Sequence, residues 1–222
     1  MQIGDRAATH KDEREYLPAM GRSWLLPLYD PLTRLAGIPS LHGWLLDHAD
    51  IRPGQRVLEV GCGTGNLLLL AKRRRPDITV AGLDPDGAAL KRAQRKFRRA
   101  NFPVQLEKGL GGALPYPDDT FDRVLSALMF HHLAEDEKGR TLREVRRVLR
   151  QGGELHLLDF GGGAASHHGM AGRRLSKNPR LRDNLDDGIP ERLREAGFAD
   201  TLELGQAARW MGRFTHWRSI KS

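Results

Sequence analysis

Cysteine is almost absent from this sequence, since Cys62 is the only one among 222 residues. One thiol forms neither an internal disulfide nor a cysteine-based zinc site. Apolar runs are also short: residues 67–71 and 124–130 fall far below the roughly 18–20 residues of a membrane span. The beginning of the chain is charged and lacks the apolar stretch of a signal peptide. These absences predict a cytoplasmic protein with no membrane span.

Acidic residues are fewer than basic ones, with 28 Asp and Glu against 36 Lys and Arg, which gives a net charge of +8. A basic balance can indicate nucleic-acid binding. Here the basic residues are scattered over several segments that we predict to be outer helix faces and loops. We therefore predict no obligatory nucleic-acid partner.

Strand-like and helix-like segments alternate along most of the chain. This alternation is typical of an open, largely parallel sheet with helices on both faces. In such a sheet, ligands bind at the carboxyl ends of the strands, where the strand order switches. The predicted strands cover residues 56–60, 78–83, 104–107, 122–128, 154–160, 201–206 and 212–220, and the predicted helices cover residues 40–49, 66–74, 86–100, 135–149 and 189–196.

The most specific local pattern is a strand that enters a turn with Gly61, Gly63 and Gly65 and continues into a helix. Glycines allow a tight turn and close approach of a ligand. The Gly-x-Gly-x-Gly spacing differs from the Gly-x-Gly-x-x-Gly of dinucleotide sites. Glu59, two residues before the turn, would repel a pyrophosphate and attract a cation. The alternative is that Glu59 caps a helix or pairs with an arginine.

Asp84 ends the second predicted strand, 19 residues after Gly65. An acid at about this distance accepts hydrogen bonds from ribose hydroxyls. The alternative role is to cap the next helix, although Asp86 is also available for that. The pattern predicts a ligand that combines a ribose with positive charge.

The run from Val57 to Leu67 resembles the first motif of class I S-adenosylmethionine-dependent methyltransferases. Further segments resemble the same family in the same order, namely residues 81–85, 114–124, 142–153 and 193–198. The most similar subgroup is the ubiquinone/menaquinone-biosynthesis type with its small-molecule relatives. The resemblance implies a Rossmann-like three-layer α/β/α sandwich with a seven-stranded, mostly parallel sheet. It also implies that the last strand is antiparallel and lies between the fifth and sixth.

The same resemblance implies S-adenosylmethionine as the cofactor. Glu59, Gly61 and Gly63 would lie near its methionine part, Asp84 at the ribose, and Leu83 or Pro85 against adenine. Many relatives carry an acid where this chain has Leu110, and we expect a weaker cofactor affinity or an altered adenine contact, but not lost binding. Asp118 and Asp119 are the candidates to compensate, although the alternative is that they only form a turn. The remaining predicted cofactor contacts are Cys62, Gly65, Leu110, Ser126 and Tyr29.

Methyl transfer from a sulfonium mainly requires alignment, and a base only where the acceptor loses a proton. His131 and His132, after the fourth strand, are the candidate bases, although either can simply cap or fill the turn. They predict no metal site, because neighbouring side chains point apart. Tyr29 is a candidate lid residue, or alternatively a packing residue. We divide the chain into an N-terminal lid segment, 1–39, and a methyltransferase domain, 40–222.

The leading hypothesis is methyl transfer to a small-molecule acceptor. The alternatives are an RNA or protein methyltransferase, an inactive cofactor-binding protein, and an NAD-dependent dehydrogenase. Glu59 and the glycine spacing disfavour the last of these.

Overall fold

The computed structural model describes residues 33, 35–161, 188–209 and 212–222. In this part the chain alternates between strands and helices as the sequence predicts. The strands are β1 (Arg56–Val60), β2 (Thr79–Asp84), β3 (Gln105–Lys108), β4 (Phe121–Ala127), β5 (Leu149–Phe160), β6 (Asp200–Arg209) and β7 (Gly212–Ile220). The helices are α1 (Ile38–Ala49), α2 (Asn66–Arg74), α3 (Gly87–Arg99), α4 (Glu135–Val148) and α5 (Gly188–Glu195).

The seven strands form one sheet in the order β3-β2-β1-β4-β5-β7-β6. Strands β1 to β5 pair with one another in parallel, and β7 runs antiparallel between β5 and β6. The Rossmann-like fold class and the position of the last strand are therefore confirmed. Strands β2 and β3 lie on one side of β1, and β5 lies on the far side of β4. The strand order therefore reverses between β1 and β4, which define the switch point.

Helices cover both faces of the sheet. Leu41 and Leu45 of α1, with Leu67 and Leu68 of α2, belong to the apolar core on one face. The core on the other face contains side chains of α4 and α5, namely Leu142, Val145, Val148, Ile189 and Leu193. Burial of this apolar surface at roughly 25 cal/mol per Å² is what holds the three layers together.

Three predicted boundaries differ from the structure by two residues or more, one of them the end of β6, which lies at Arg209 and not at residue 206. Helix α1 begins at Ile38, not at Ser40, because Gly37 with φ 75° serves as the N-cap and Pro39 fits the first turn. Strand β5 begins at Leu149, not at residue 154, because the chain leaves α4 directly into an extended segment and pairs Leu149 with Phe121 before the register shifts. Helix α1 thus crosses the proposed boundary at residue 39, while residues 1–32 lie outside the described part.

No helix within the described ranges has both the length and the apolar character needed to cross a bilayer.

Candidate cofactor and acceptor site

The glycine turn lies at the carboxyl end of β1, at the switch point of the sheet. Gly61, Gly63 and Gly65 all have left-handed φ, at 77°, 50° and 74°. A side chain is tolerated poorly at such angles, which explains the three glycines. A Cβ on Gly65 would also lie 2.9 Å from the Cβ of Ala93, so the turn is pressed closely against α3.

Asp84 holds this turn from the end of β2. Its Oδ2 accepts a 2.8 Å hydrogen bond from the amide of Gly63, and its Oδ1 accepts one from the amide of Asp86. Burial raises the pKa of Asp84, these backbone hydrogen bonds partly oppose the rise, and the charge of Asp86 adds to it. The cap of α3 is Asp86, whose Oδ1 accepts from the amides of Ala88 and Ala89. Asp84 is therefore available for a ligand role.

Glu59 is buried, with 3% exposure, beside the turn. Burial raises its pKa well above the usual range; a hydrogen bond from the backbone of Leu68 opposes this, and the charge of Asp84 adds to it. Because Leu68 lies in the first turn of α2, the predicted helix-capping alternative is realised in part. Its Oε2, however, has no hydrogen-bond partner within the described residues, and no arginine there pairs with it. A buried carboxylate oxygen without a partner is costly and suits a cationic ligand group.

A cavity of about 230 Å³ opens between the glycine turn and the chain after β4. Of the predicted cofactor contacts, six line it: Gly61, Gly63, Leu83, Asp84, Pro85 and Leu110. His132 lines it as well, together with Gly111–Ala113, Ala127–Met129, Glu137 and Arg140.

The other predicted contacts lie behind this surface. Glu59, Cys62, Gly65 and Ser126 are outside the cavity lining. Cys62 is buried. A Cβ added to Gly82 would lie 2.8 Å from the Sγ of Cys62, so the thiol fills the space between the glycine turn and β2. Burial raises the pKa of the Cys62 thiol. Ser126 is buried and its Oγ has no partner within the described part. Tyr29 lies outside the described residues.

Two glutamates of α4 bind the loop that begins at Leu110. Each accepts a backbone amide of the loop and forms an ion pair with an arginine three residues later, and we name these two sets of contacts the α4 clamps. In the first, Oε1 of Glu137 accepts the amide of Gly112 at 2.9 Å while Oε2 pairs with Arg140. In the second, seven residues later, Glu144 accepts the amide of Leu114 at 2.8 Å while pairing with Arg147. The first clamp lines the cavity and the second does not.

The expectation that Asp118 or Asp119 compensates for Leu110 is wrong. Asp118 pairs with Arg147, and Asp119 pairs with Lys221. Neither acid lines the cavity, because the turn that carries them faces the opposite end of α4. Glu137 is the acid that reaches this end of the cavity, through a Glu-x-x-Arg pattern that recurs in the sequence of α4.

The chain after β4 turns sharply across the glycine turn. Leu128 adopts a left-handed φ of 57°, which is uncommon for a bulky residue and costs roughly 1–2 kcal/mol. Met129, which follows, lies against Gly61, where an added Cβ would come within 2.2 Å of its Cγ. Strain of this kind collects at functional sites, where the surrounding structure holds it in place.

The two candidate histidines occupy different places in the short 3-10 turn Phe130–His132. His132 lines the cavity. His131 does not; instead its Nδ1 lies 2.7 Å from Oδ1 of Asp159, the buried acid near the end of β5. We did not predict Asp159, although an acid at the end of the fifth strand parallels Asp84 at the end of the second and was a usable signal.

The strand order and the cavity position define the Rossmann-like class of α/β proteins that bind nucleoside cofactors at the carboxyl ends of their strands. A methyltransferase domain family matches residues 57–153. The demethylmenaquinone methyltransferase of Deinococcus radiodurans is 31% identical over 237 residues, covering 95% of each chain. The chain therefore belongs to the class I S-adenosylmethionine-dependent methyltransferases, of the ubiquinone/menaquinone type.

Solved structures agree with this fold. An S-adenosylmethionine-dependent methyltransferase from Aquifex aeolicus has a TM-score of 0.63 at 21% identity, covering 81% of this chain and 89% of that one. The [4+2]-cyclase SpnF has a TM-score of 0.67 at 21% identity, covering 82% and 80%. At such identities the likeness shows the fold alone.

The residues present fit S-adenosylmethionine. Glu59 offers an unpartnered buried oxygen, Asp84 ends β2 beside the turn, and the space above Gly63 is open, with nothing within 4 Å of an added Cβ. The cofactor supplies a methyl group on a positively charged sulfur. The chain's own residues have to orient it, exclude water and, where needed, accept a proton.

Proposed function

We propose that the cavity between the glycine turn and the Leu110 loop holds S-adenosylmethionine, and that the protein methylates a small molecule there. The observation that carries this proposal is the pair of buried acids at the carboxyl ends of β1 and β2, Glu59 and Asp84, beside the glycine turn in which Gly63 is open. Glu59 would bind the ammonium group and Asp84 the ribose hydroxyls. Leu83, Pro85 and Leu110 supply apolar surface for adenine.

A small-molecule acceptor is favoured over RNA or protein, since the relatives that align over nearly the whole chain are named for methylation of a quinone precursor. Their names make demethylmenaquinone the first acceptor to test. We also propose a cytoplasmic location, an N-terminal lid segment, 1–39, in which Tyr29 closes over the cofactor, and a catalytic domain of residues 40–222.

The proposal is tested by titrating S-adenosylhomocysteine and NAD separately into the full chain and following the melting temperature. A ligand at 100 times its Kd stabilises a folded protein by about 2.7 kcal/mol. We expect S-adenosylhomocysteine to raise the melting temperature and NAD to leave it unchanged. A protein that responds to neither ligand, or only to NAD, would contradict the proposal.

A further inference from the structure

Two neighbouring helices carry basic residues without any acidic ones. Helix α2 has three basic side chains and α3 has six, while neither helix contains Asp or Glu. Both helices pack on the same face of the sheet, where Leu67 and Leu68 of α2 share an apolar core with Phe97 of α3. The fold therefore brings together basic residues from two separate segments of the sequence and produces a positively charged surface on this face.

A second cavity, of about 380 Å³, opens between α1, α2 and α3. It shares no lining residue with the cofactor cavity. Its cationic side chains are those of Arg73, Lys96 and Arg99, and its apolar surface comes from Ile38, Pro39, Leu69, Leu70 and Ala100. No Asp or Glu among the described residues lines it. The cavity thus combines positive charge with an apolar wall, and its volume falls within the roughly 300–1,000 Å³ of small-molecule sites.

Two of the three cations in this second cavity lack a counter-ion. Arg73 and Arg99 are exposed, and their guanidinium groups form no ion pair or hydrogen bond in the part of the chain that the structure describes. Arg74, the neighbour of Arg73, is by contrast paired with Asp47 at 2.7 Å. Because like charges that line one cavity repel each other, an anion placed between the two free arginines is favoured.

The imidazole of His42, on α1, adds an uncharged donor to the same lining. Burial lowers the pKa of His42 to about 4, so the ring is neutral at pH 7 and carries one N–H. Neither ring nitrogen has a hydrogen-bond partner within the described ranges. Lys96 is held from the other side, since its Nζ donates to Oγ1 of Thr64 at 2.9 Å and to Oδ1 of Asn66 at 2.7 Å. An enclosed polar group without a partner is costly and suits a ligand that accepts a hydrogen bond.

We propose that this second cavity is a ligand site, separate from the cofactor cavity, for the phosphate group of a small molecule that also has an apolar portion. Arg73 and Arg99 pair with phosphate oxygens, His42 donates a hydrogen bond to the same group, and Leu69 and Leu70 contact the apolar portion. A nucleic-acid strand fits less well, because no Phe, Tyr or Trp among the described residues lines the cavity to stack on a base.

The test titrates hexyl phosphate into the full chain at low salt and follows binding by isothermal titration calorimetry. Hexanol and inorganic phosphate are the matched probes, since each lacks one of the two recognised parts. We expect hexyl phosphate to bind saturably, inorganic phosphate to bind about fivefold more weakly, and hexanol not to bind. Saturating S-adenosylhomocysteine should not displace hexyl phosphate, because the two cavities share no lining residue.

Substitutions in the lining assign the binding to this cavity. Arg73→Gln and Arg99→Gln should each weaken hexyl phosphate about tenfold through loss of a charge-assisted contact, and His42→Phe about fivefold through loss of the donor. Arg98→Gln is the matched control, because Arg98 is exposed on the same helix as Arg99 but lies outside the cavity lining. All four variants should bind S-adenosylhomocysteine as the wild type does, so a failure of this site is distinguishable from a failure of the proposed function.

Vesicles of phosphatidylcholine, with and without phosphatidylglycerol, distinguish the sources of the phosphate. Sedimentation with the vesicles that requires phosphatidylglycerol, together with Arg73 and Arg99, identifies a lipid headgroup. Hexyl phosphate binding without such sedimentation identifies a free organic phosphate.

Three results would overturn the site. The first is no saturable binding of hexyl phosphate by the wild type. The second is an equal loss of binding in Arg98→Gln, or an unchanged affinity in both Arg73→Gln and Arg99→Gln, which would reduce the arginines to general surface charge or to stabilisation of helix ends. The third is a single-stranded oligonucleotide that displaces hexyl phosphate and depends on the same arginines, which would make the surface a nucleic-acid site.

Discussion

The amide of Gly63 donates a 2.8 Å hydrogen bond to Oδ2 of Asp84, so the end of β2 holds the glycine turn that follows β1. The acid is almost fully buried, with 6% exposure, and its second oxygen is engaged by the amide of Asp86. One carboxylate therefore links the two strand ends on which the proposed cofactor site is built.

Asp84→Ala should weaken binding of S-adenosylhomocysteine by about 1–3 kcal/mol, at least fivefold, because it removes a charge-assisted contact and frees the turn. Asp86→Ala is the matched control two residues away. It should lower the free energy of unfolding by about 0.5–2 kcal/mol through loss of the α3 cap, with affinity unchanged. Isothermal titration calorimetry and urea unfolding of both variants separate the two roles. Equal losses of affinity in both variants would contradict the assignment.

The two α4 clamps should separate affinity from stability. Glu137→Ala leaves the amide of Gly112 without its partner at the cavity wall, so we expect S-adenosylhomocysteine to bind about tenfold more weakly. Glu137→Gln keeps an acceptor oxygen and should recover part of the affinity. Glu137→Ala and Glu144→Ala should lower the melting temperature by similar amounts. Glu144→Ala should change the affinity less than threefold, however, because its clamp lies away from the cavity. If the loss of affinity in each variant is simply proportional to its loss of melting temperature, both clamps contribute only to stability, and the prediction is wrong.

Acid should destabilise the protein through the buried histidine pair of β5 and β7. Nδ1 of His156 lies 3.1 Å from Nε2 of His216, and both side chains are fully buried. Burial, with the charges of His156 and His48, lowers the pKa of His216 to about 3, and burial also lowers the pKa of His156 despite its bond to Glu154. Unfolding then takes up protons, so the stability is complete above the unfolded pKa near 6.5 and is lost as the pH falls below it.

Between pH 7.5 and 5.5, we expect His216 alone to account for a loss of about 1.4 kcal/mol in the free energy of unfolding. His216→Gln should be less stable at pH 7.5, because it loses packing against Trp44. Between pH 7.5 and 5.5, however, its free energy of unfolding should fall less than that of the wild type, by the amount assigned to His216. Urea unfolding at the two pH values measures the difference. An equal pH dependence in wild type and variant would contradict it.

The sequence predicted the elements better than the contacts between them. Helix α2 begins and ends at the predicted residues, because Gly65 before it and Pro76 after it mark it locally. The early start of β5 depends on pairing with β4 and on a register shift, which no local pattern reports. The same holds for the site: the glycine turn and Asp84 were readable from spacing, whereas the contact between His131 and Asp159 joins residues 28 apart and depends on the sheet that brings them together.

The proposed cofactor site requires that the buried carboxylate of Glu59, near the end of β1, receives the positive charge of the cofactor's amino acid part. Because burial raises the pKa of Glu59, a cationic group should ionise it on binding and release a proton. Calorimetric titration of S-adenosylhomocysteine at pH 6.5, in two buffers of different ionisation enthalpy, measures affinity and proton release together. We expect the wild type to release a fraction of a proton and Glu59→Gln to bind at least tenfold more weakly without that release. Equal affinity and equal proton exchange in the two proteins would contradict the claim.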